Sequence, residues 1–147
     1  MSPGERAVRE ARRWIGTPYV HQASCAGAGA DCLGLIRGVW RHLYGAEPCA
    51  VPPYTVDWAE ASRDEALMRA AGVWLVPKDV ADAAGGDVLL FRMRDGGIAK
   101  HLGIQTVTGA APRFVHAFSG HAVQENALSA PWARRVAARF AFPDEDR

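Results

Sequence analysis

Lysine is nearly missing from this 147-residue chain: only Lys78 and Lys100 stand among its 17 basic residues. With 16 acidic residues the formal net charge is +1, a near-balance that argues against nucleic acid as a partner. The abundance of alanine, glycine and arginine beside that shortage reads as coding bias, and no function follows from it. Cysteine is scarce as well. Cys25, Cys32 and Cys49 are odd in number and have no paired CxxC spacing, which suggests neither a disulfide framework nor a structural zinc site. No stretch approaches the roughly 20 apolar residues needed to span a bilayer. The opening "MSPGERAVREARRWIG" lacks the apolar segment of a secretion signal, so the expectation is a chain made in a reducing cytoplasm without a signal peptide or membrane insertion. Repeats and low-complexity tracts are missing too. An apolar share of 49% with 22% charged residues is that of an ordinary globular protein, and the length predicts one domain over residues 1–147.

The residues that are present place helices first and strands afterwards. Ser2 and Glu5 form a capping-box pattern with Pro3 at the first helical position, and Val8, Ala11, Trp14 and Ile15 recur at helical spacing. A helix from about Pro3 to Ile15, closed by Gly16, is predicted. "GTPYVHQASCAGAGAD" reads as a loop. From Asp31 onward Leu33, Ile36, Trp40 and Leu43 make one apolar stripe that excludes Arg37 and Arg41, with Gly45 as the C-terminal cap. After the proline-broken "PCAVPPYTVDW", a capping-box pattern from Ser62 to Glu65 predicts a helix to about Ala71. "DVLLFRM", "KHLGIQTV", "RFVHAFS" and "AVQENAL" then read as an antiparallel meander, to which "RRVAARFAF" adds a last strand. The fold class is α+β, with N-terminal helices packed on an antiparallel sheet.

Cys32 falls at the start of the second helix, where free N–H groups and the helix dipole favour a thiolate, while Asp31 beside it works against one. A nucleophilic cysteine needs a histidine base. In "KHLGI", His101 shares a face with Gly103 and opposes Leu102 and Ile104, so it leaves the core face to two apolar anchors. His116, on a neighbouring strand, is placed to orient it as the third member of a triad. The alternative is structural: a lone cysteine packs as a small hydrophobe, and a strand histidine is a satisfied core residue. His42 lies off the apolar stripe and reads as solvated, His21 and His121 fall in loops with no evident partner, and Cys25 and Cys49 are bystanders. The pattern leaves Trp58, Trp74 and Trp132 undecided between core and contact surface.

Taken together, "IGTPYVHQASCAGAGADCLGLIRGVW", "GGDVLLFR", "KHLGIQT" and "FVHAF" resemble, in order and spacing, the NlpC-type cysteine peptidases, papain-like enzymes of bacterial cell-wall peptides. The resemblance extends from about Trp14 to Phe140 and is greatest to the branch carried by phage tails and gene transfer agents. It implies Cys32 as nucleophile, His101 as general base and His116 as the residue that orients it. It implies Tyr19 beside the nucleophile as a substrate contact, and Asp31 as a ligand for the amine end of a stem peptide. Leu33 stands where the family commonly has serine, and Gly85 where a proline often precedes Gly-Asp. The first departure bears on substrate contacts more than on chemistry.

The activity implied is that of a peptidoglycan endopeptidase without metal or cofactor, cutting between D-glutamate, through its γ-carboxyl, and the next diamino acid. Its expected partners are stem peptides and the proteins of a phage-like tail, which would deliver it to the target wall. Two rivals remain: an amidase or acyltransferase using the same cysteine and histidine, and a catalytically inert tail-tip or wall-binding module. A zinc site built from Cys25, Cys32 and histidines fits no standard ligand spacing.

Overall fold

The computed structural model of the chain describes residues 1–49, 65–94 and 96–144. Helix α1 spans Pro3–Arg13; the Ser2 side chain accepts from the Glu5 N–H at 3.1 Å and Pro3 opens the first turn, as the capping pattern predicts. The helix stops two residues short of Ile15. Trp14 turns its N–H back to Ala11, and Gly16, at φ +92°, takes the chain away. Inside the predicted loop, β1 (Ser24–Cys25) and β2 (Gly29–Ala30) form a two-stranded ribbon. Helix α2 spans Cys32–Tyr44, capped by Asp31 at its start and by Gly45, at φ +90°, at its end. The indole of Trp14 fills the notch left by Gly38, where a Cβ would lie 2.0 Å from the ring, so α1 and α2 cross in close contact.

Helix α3 spans Ala66–Trp74, which corrects the predicted bounds. It runs past Ala71 and through Gly72; Ser62, like Trp58, lies outside the described residues. Glu65 is not a capping-box partner: its carboxylate accepts from the Ala99 N–H at 2.8 Å and pairs with Arg92 at 2.7 Å, fastening the start of α3 to the sheet. Trp74 is exposed, Trp132 half-buried.

The strands are β3 (Val76–Lys78), β4 (Val88–Arg92), β5 (Ala99–Val107), β6 (Arg113–His116), β7 (Gln124–Ala127) and β8 (Val136–Ala141), with a short helix α4 (Ala130–Ala133) before the last. Five match the predicted segments; β3 was not foreseen. The sheet order is β3-β8-β4-β5-β6-β7, every pairing antiparallel, so β4 to β7 form the predicted meander and β8 inserts between β3 and β4. A buried polar cluster ties these strands together. Asp87 binds Lys78 and the Arg139 guanidinium, which also reaches Gln105 and the Val80 carbonyl.

The two faces of the sheet bury different cores. Val88, Leu90, Leu102, Ile104, Val115 and Phe140 pack beneath α1 and α2, whereas Leu89, Phe91 and Phe114 pack with Leu128 and Trp132 on the other side. No helix among the described residues is long and apolar enough to cross a membrane.

Candidate active site

The site begins with how α2 starts. Asp31, 3% exposed, accepts from the Gly34 N–H through one carboxylate oxygen and from the Gln22 N–H through the other, each at 2.7 Å. It thereby holds the first turn of the helix and the loop before it. Gly34 is required at its position, because a Cβ there would lie 1.8 Å from the Ala23 carbonyl oxygen. Ser24 reinforces the contact, donating to the Gly34 carbonyl at 2.6 Å while Arg41 grips Ser24 from the next turns. His21 stands beside the capping carboxylate, 3.8 Å from Asp31, with Gln22 bound to its ring, so it has partners the sequence did not reveal.

Cys32 follows the cap and meets the sheet where a strand edge opens. The β5–β6 ladder begins at Ile104 opposite Val115, so the stretch of β5 from Ala99 to Gly103 pairs with β4 alone. The Cys32 sulfur lies 3.9 Å from the Lys100 carbonyl oxygen, and the Leu102 N–H also faces it. The thiol thus contacts the backbone on both sides of His101.

His101 and His116 project from the opposite sheet face to Leu102 and Ile104, as strand alternation predicts, but that face is not open. The two rings are 6% and 1% exposed. Phe91, Phe118 and Trp132 surround His101 at 5.6–5.8 Å between ring centroids, and Trp132 stands edge-on to His116 at 5.1 Å. His121, which the sequence left without a partner, stacks on Phe118. His42 is exposed, as expected, and lies 3.5 Å from Glu10. His101 Nε2 lies 2.8 Å from His116 Nδ1, and His116 Nε2 lies 2.7 Å from Asn126 Oδ1. Gly103 makes room for this arrangement, since a Cβ there would meet the Phe114 ring at 2.9 Å and the Val115 carbonyl at 3.2 Å.

Burial controls the charge state of the pair. It pushes the Cys32 thiol up to about 12, with Asp31 adding to the effect and the N–H groups of Leu102, Leu33 and Cys32 opposing it. Burial brings His101 down to about 3, His116 adding to the effect, and burial lowers His116 as well. Both partners therefore rest neutral near pH 7. Tyr19 is half-buried, bridged to Ala30, with its hydroxyl bound to Ser119; burial raises its pKa, and so do Cys32 and Asp31 close by. Cys25 and Cys49 are exposed free thiols. Among the described residues no group of three or more His, Cys, Asp or Glu side chains is arranged to hold a metal ion.

Sequence reasoning missed Trp132, Phe118 and Asn126. The alternation of "QENA" placed Asn126 on a strand, but the register opposite "RFVH" brings it to His116, pairing His116 with Gln124 and Phe114 with Asn126.

Comparison with known proteins gives a result for structure only. No family model matches the chain, and no curated protein does. Among solved structures it is similar to the NlpC/p60 domain of the peptidoglycan hydrolase SagA, with 23% identity and a TM-score of 0.62 over 95% of this chain and 98% of that one. An NlpC/p60 family protein from Bacillus cereus matches at 18% identity and TM-score 0.63 over 95% of this chain, and NlpC1 from Trichomonas vaginalis at 21% and 0.62 over 96%. The chain spans 40% and 44% of those two longer proteins, respectively. With its helices packed on a six-stranded antiparallel sheet, the chain has the fold of an NlpC/p60 domain.

Proposed function

We propose that this chain is a cysteine endopeptidase of bacterial cell-wall peptides. The observation that carries the reading is the thiol of Cys32 seated against the strand backbone on both sides of His101, whose Nε2 is bound to His116. In this reading the scissile amide carbonyl is attacked by the Cys32 sulfur as His101 Nδ1 takes the thiol proton. The resulting oxyanion is held by N–H groups at the start of α2, the Cys32 N–H among them. His101 then returns the proton to the leaving amine, and water, deprotonated by the same ring, hydrolyses the thioester. Because both partners rest neutral, proton transfer accompanies attack rather than preceding it. Tyr19 flanks the nucleophile as a substrate contact, and Asp31 supplies negative potential toward the amine end of the stem peptide. No metal or cofactor takes part in this chemistry.

The bond assigned is the amide between the γ-carboxyl of D-glutamate and the following diamino acid. The resemblance of the sequence to the NlpC-type enzymes supports that bond, while the fold shared with a peptidoglycan hydrolase domain supports only the cell-wall substrate class. Delivery by a phage-like tail rests on the branch resemblance and predicts copurification with particles; recovery only as free protein from disrupted cells would sink that part.

Incubation with muropeptides of known stem sequence, read by mass spectrometry beside Cys32→Ala, tests the activity. A new free amine on the diamino acid, absent with the variant, is expected. The neutral thiol favours a second reading, an inert tail-tip or wall-binding module of the same fold. No product across several stem types from folded protein would establish that reading over the first. Release of a different group would instead identify the amidase or acyltransferase use of the same site.

A further inference from the structure

The hydrogen-bond chain that starts at His101 does not end at His116. Asn126 is the only asparagine in the sequence, and its Oδ1 lies 2.7 Å from His116 Nε2, on the far side of the ring from His101. The two residues sit diagonally across the β6–β7 ladder on one sheet face, within the reach of such pairs. An amide oxygen accepts and cannot donate. His116 Nε2 must therefore carry the hydrogen, which leaves its Nδ1 as an acceptor. His101 Nε2, 2.8 Å from that acceptor, must carry the next hydrogen. Both rings are buried and neutral, so each has one hydrogen to place, and His101 Nδ1 is left with a free lone pair. Were the amide nitrogen turned toward His116, every donor would reverse and His101 Nδ1 would carry a hydrogen, unable to accept one from the thiol. The aromatic rings packed around the two histidines fix their positions but do not choose between these states.

We infer that Asn126 is a positioning residue that acts through His116 to hold His101 as the Nε2–H tautomer, with Nδ1 left without a hydrogen and so able to accept a proton. Its catalytic consequence rests on the peptidase reading; its effect on the tautomers does not. The test is nitrogen-15 NMR of the histidine rings in the full chain at pH 8, with muropeptide turnover measured in parallel. In the wild type both His101 and His116 are expected as Nε2–H. Asn126→Leu, which keeps the size and removes the acceptor, should give Nδ1–H forms at both rings and lower kcat at least about tenfold with little change in KM. Asn126→Asp restores an acceptor and should return the wild-type ring pattern and most of kcat. If the leucine variant does not fold, Asn126→Ala makes the same comparison.

Nδ1–H at either ring in the wild type overturns the inference, as does a folded Asn126→Leu protein with unchanged tautomers and kcat. If the wild type cleaves no muropeptide but shows the predicted ring pattern, and the leucine variant loses it, the peptidase reading falls and this inference stands.

Discussion

At Cys32 two effects of comparable origin oppose each other. The start of α2 offers N–H groups and a dipole that favour a thiolate, and the sequence shows as much. Burial and the neighbouring Asp31 carboxylate act the other way and win, leaving the thiol at about 12 and His101 at about 3. A resting thiolate–imidazolium pair requires the reverse order of these values. Alkylation of the free protein at pH 7, mapped by peptide mass spectrometry, should therefore modify exposed Cys25 and Cys49 before Cys32. The Cys32 rate should rise about tenfold per pH unit through the alkaline range, following the thiolate fraction. If Cys32 reacts first at neutral pH, the pair is already ionised and the order of proton transfer given above is wrong.

Glycine positions decide how closely the elements approach. Gly34 admits the Ala23 carbonyl against the first turn of α2, Gly38 admits the indole of Trp14 from the end of α1, and Gly103 admits Phe114 and the base of His116 beneath β5. Gly34→Ala forces a methyl group into backbone that has no flexible end to give way. It should cost about 1–3 kcal/mol in denaturant unfolding and lower turnover by shifting the helix start that carries Cys32. Gly72→Ala is the control, since its Cβ would meet nothing within 4 Å inside α3. It should add about 0.4–1 kcal/mol with turnover unchanged. Equal stability of the Gly34 variant and the wild type would mean that the loop carrying Ala23 moves aside without cost, and that α2 is positioned by Asp31 and Arg41 instead.

For the whole molecule, buried titratable groups set a pH window of stability. His101 is neutral in the fold down to about 3 but takes a proton near 6.5 once unfolded, so stability is full above 6.5 and falls as the pH drops toward 3. The buried His116 acts in the same direction. Cys32 keeps its proton to about 12 in the fold and loses it near 9.0 when unfolded, so stability falls again as the pH rises from 9 toward 12. Thermal unfolding from pH 4 to 11 should give a plateau between the two limbs, and His101→Asn should make the acid limb shallower. A variant with the wild-type acid slope would assign that limb to other groups.

Local chemistry made much of this legible in advance. Ser2 and Asp31 announce helix starts because their side chains bond N–H groups two or three residues away, and Gly45 ends α2 because it tolerates a positive φ. The alternation of "KHLGI" sets His101 against Leu102 and Ile104 because a strand has a period of two. The helix start at Asp31, that alternation and the neighbouring strand that carries His116 point, together with a family resemblance, to Cys32, His101 and His116 as the candidate trio. What could not be read involves partners far apart in the chain. Glu65 spends its carboxylate on Ala99 and Arg92 instead of a helix cap, β8 slips between β3 and β4, and Trp132 closes over the histidines. Asn126 reaches His116 only through the β6–β7 register. Periodicity and capping report hydrogen bonds within a few residues, whereas strand order and the choice of ring tautomer depend on which distant segments the folded sheet sets side by side.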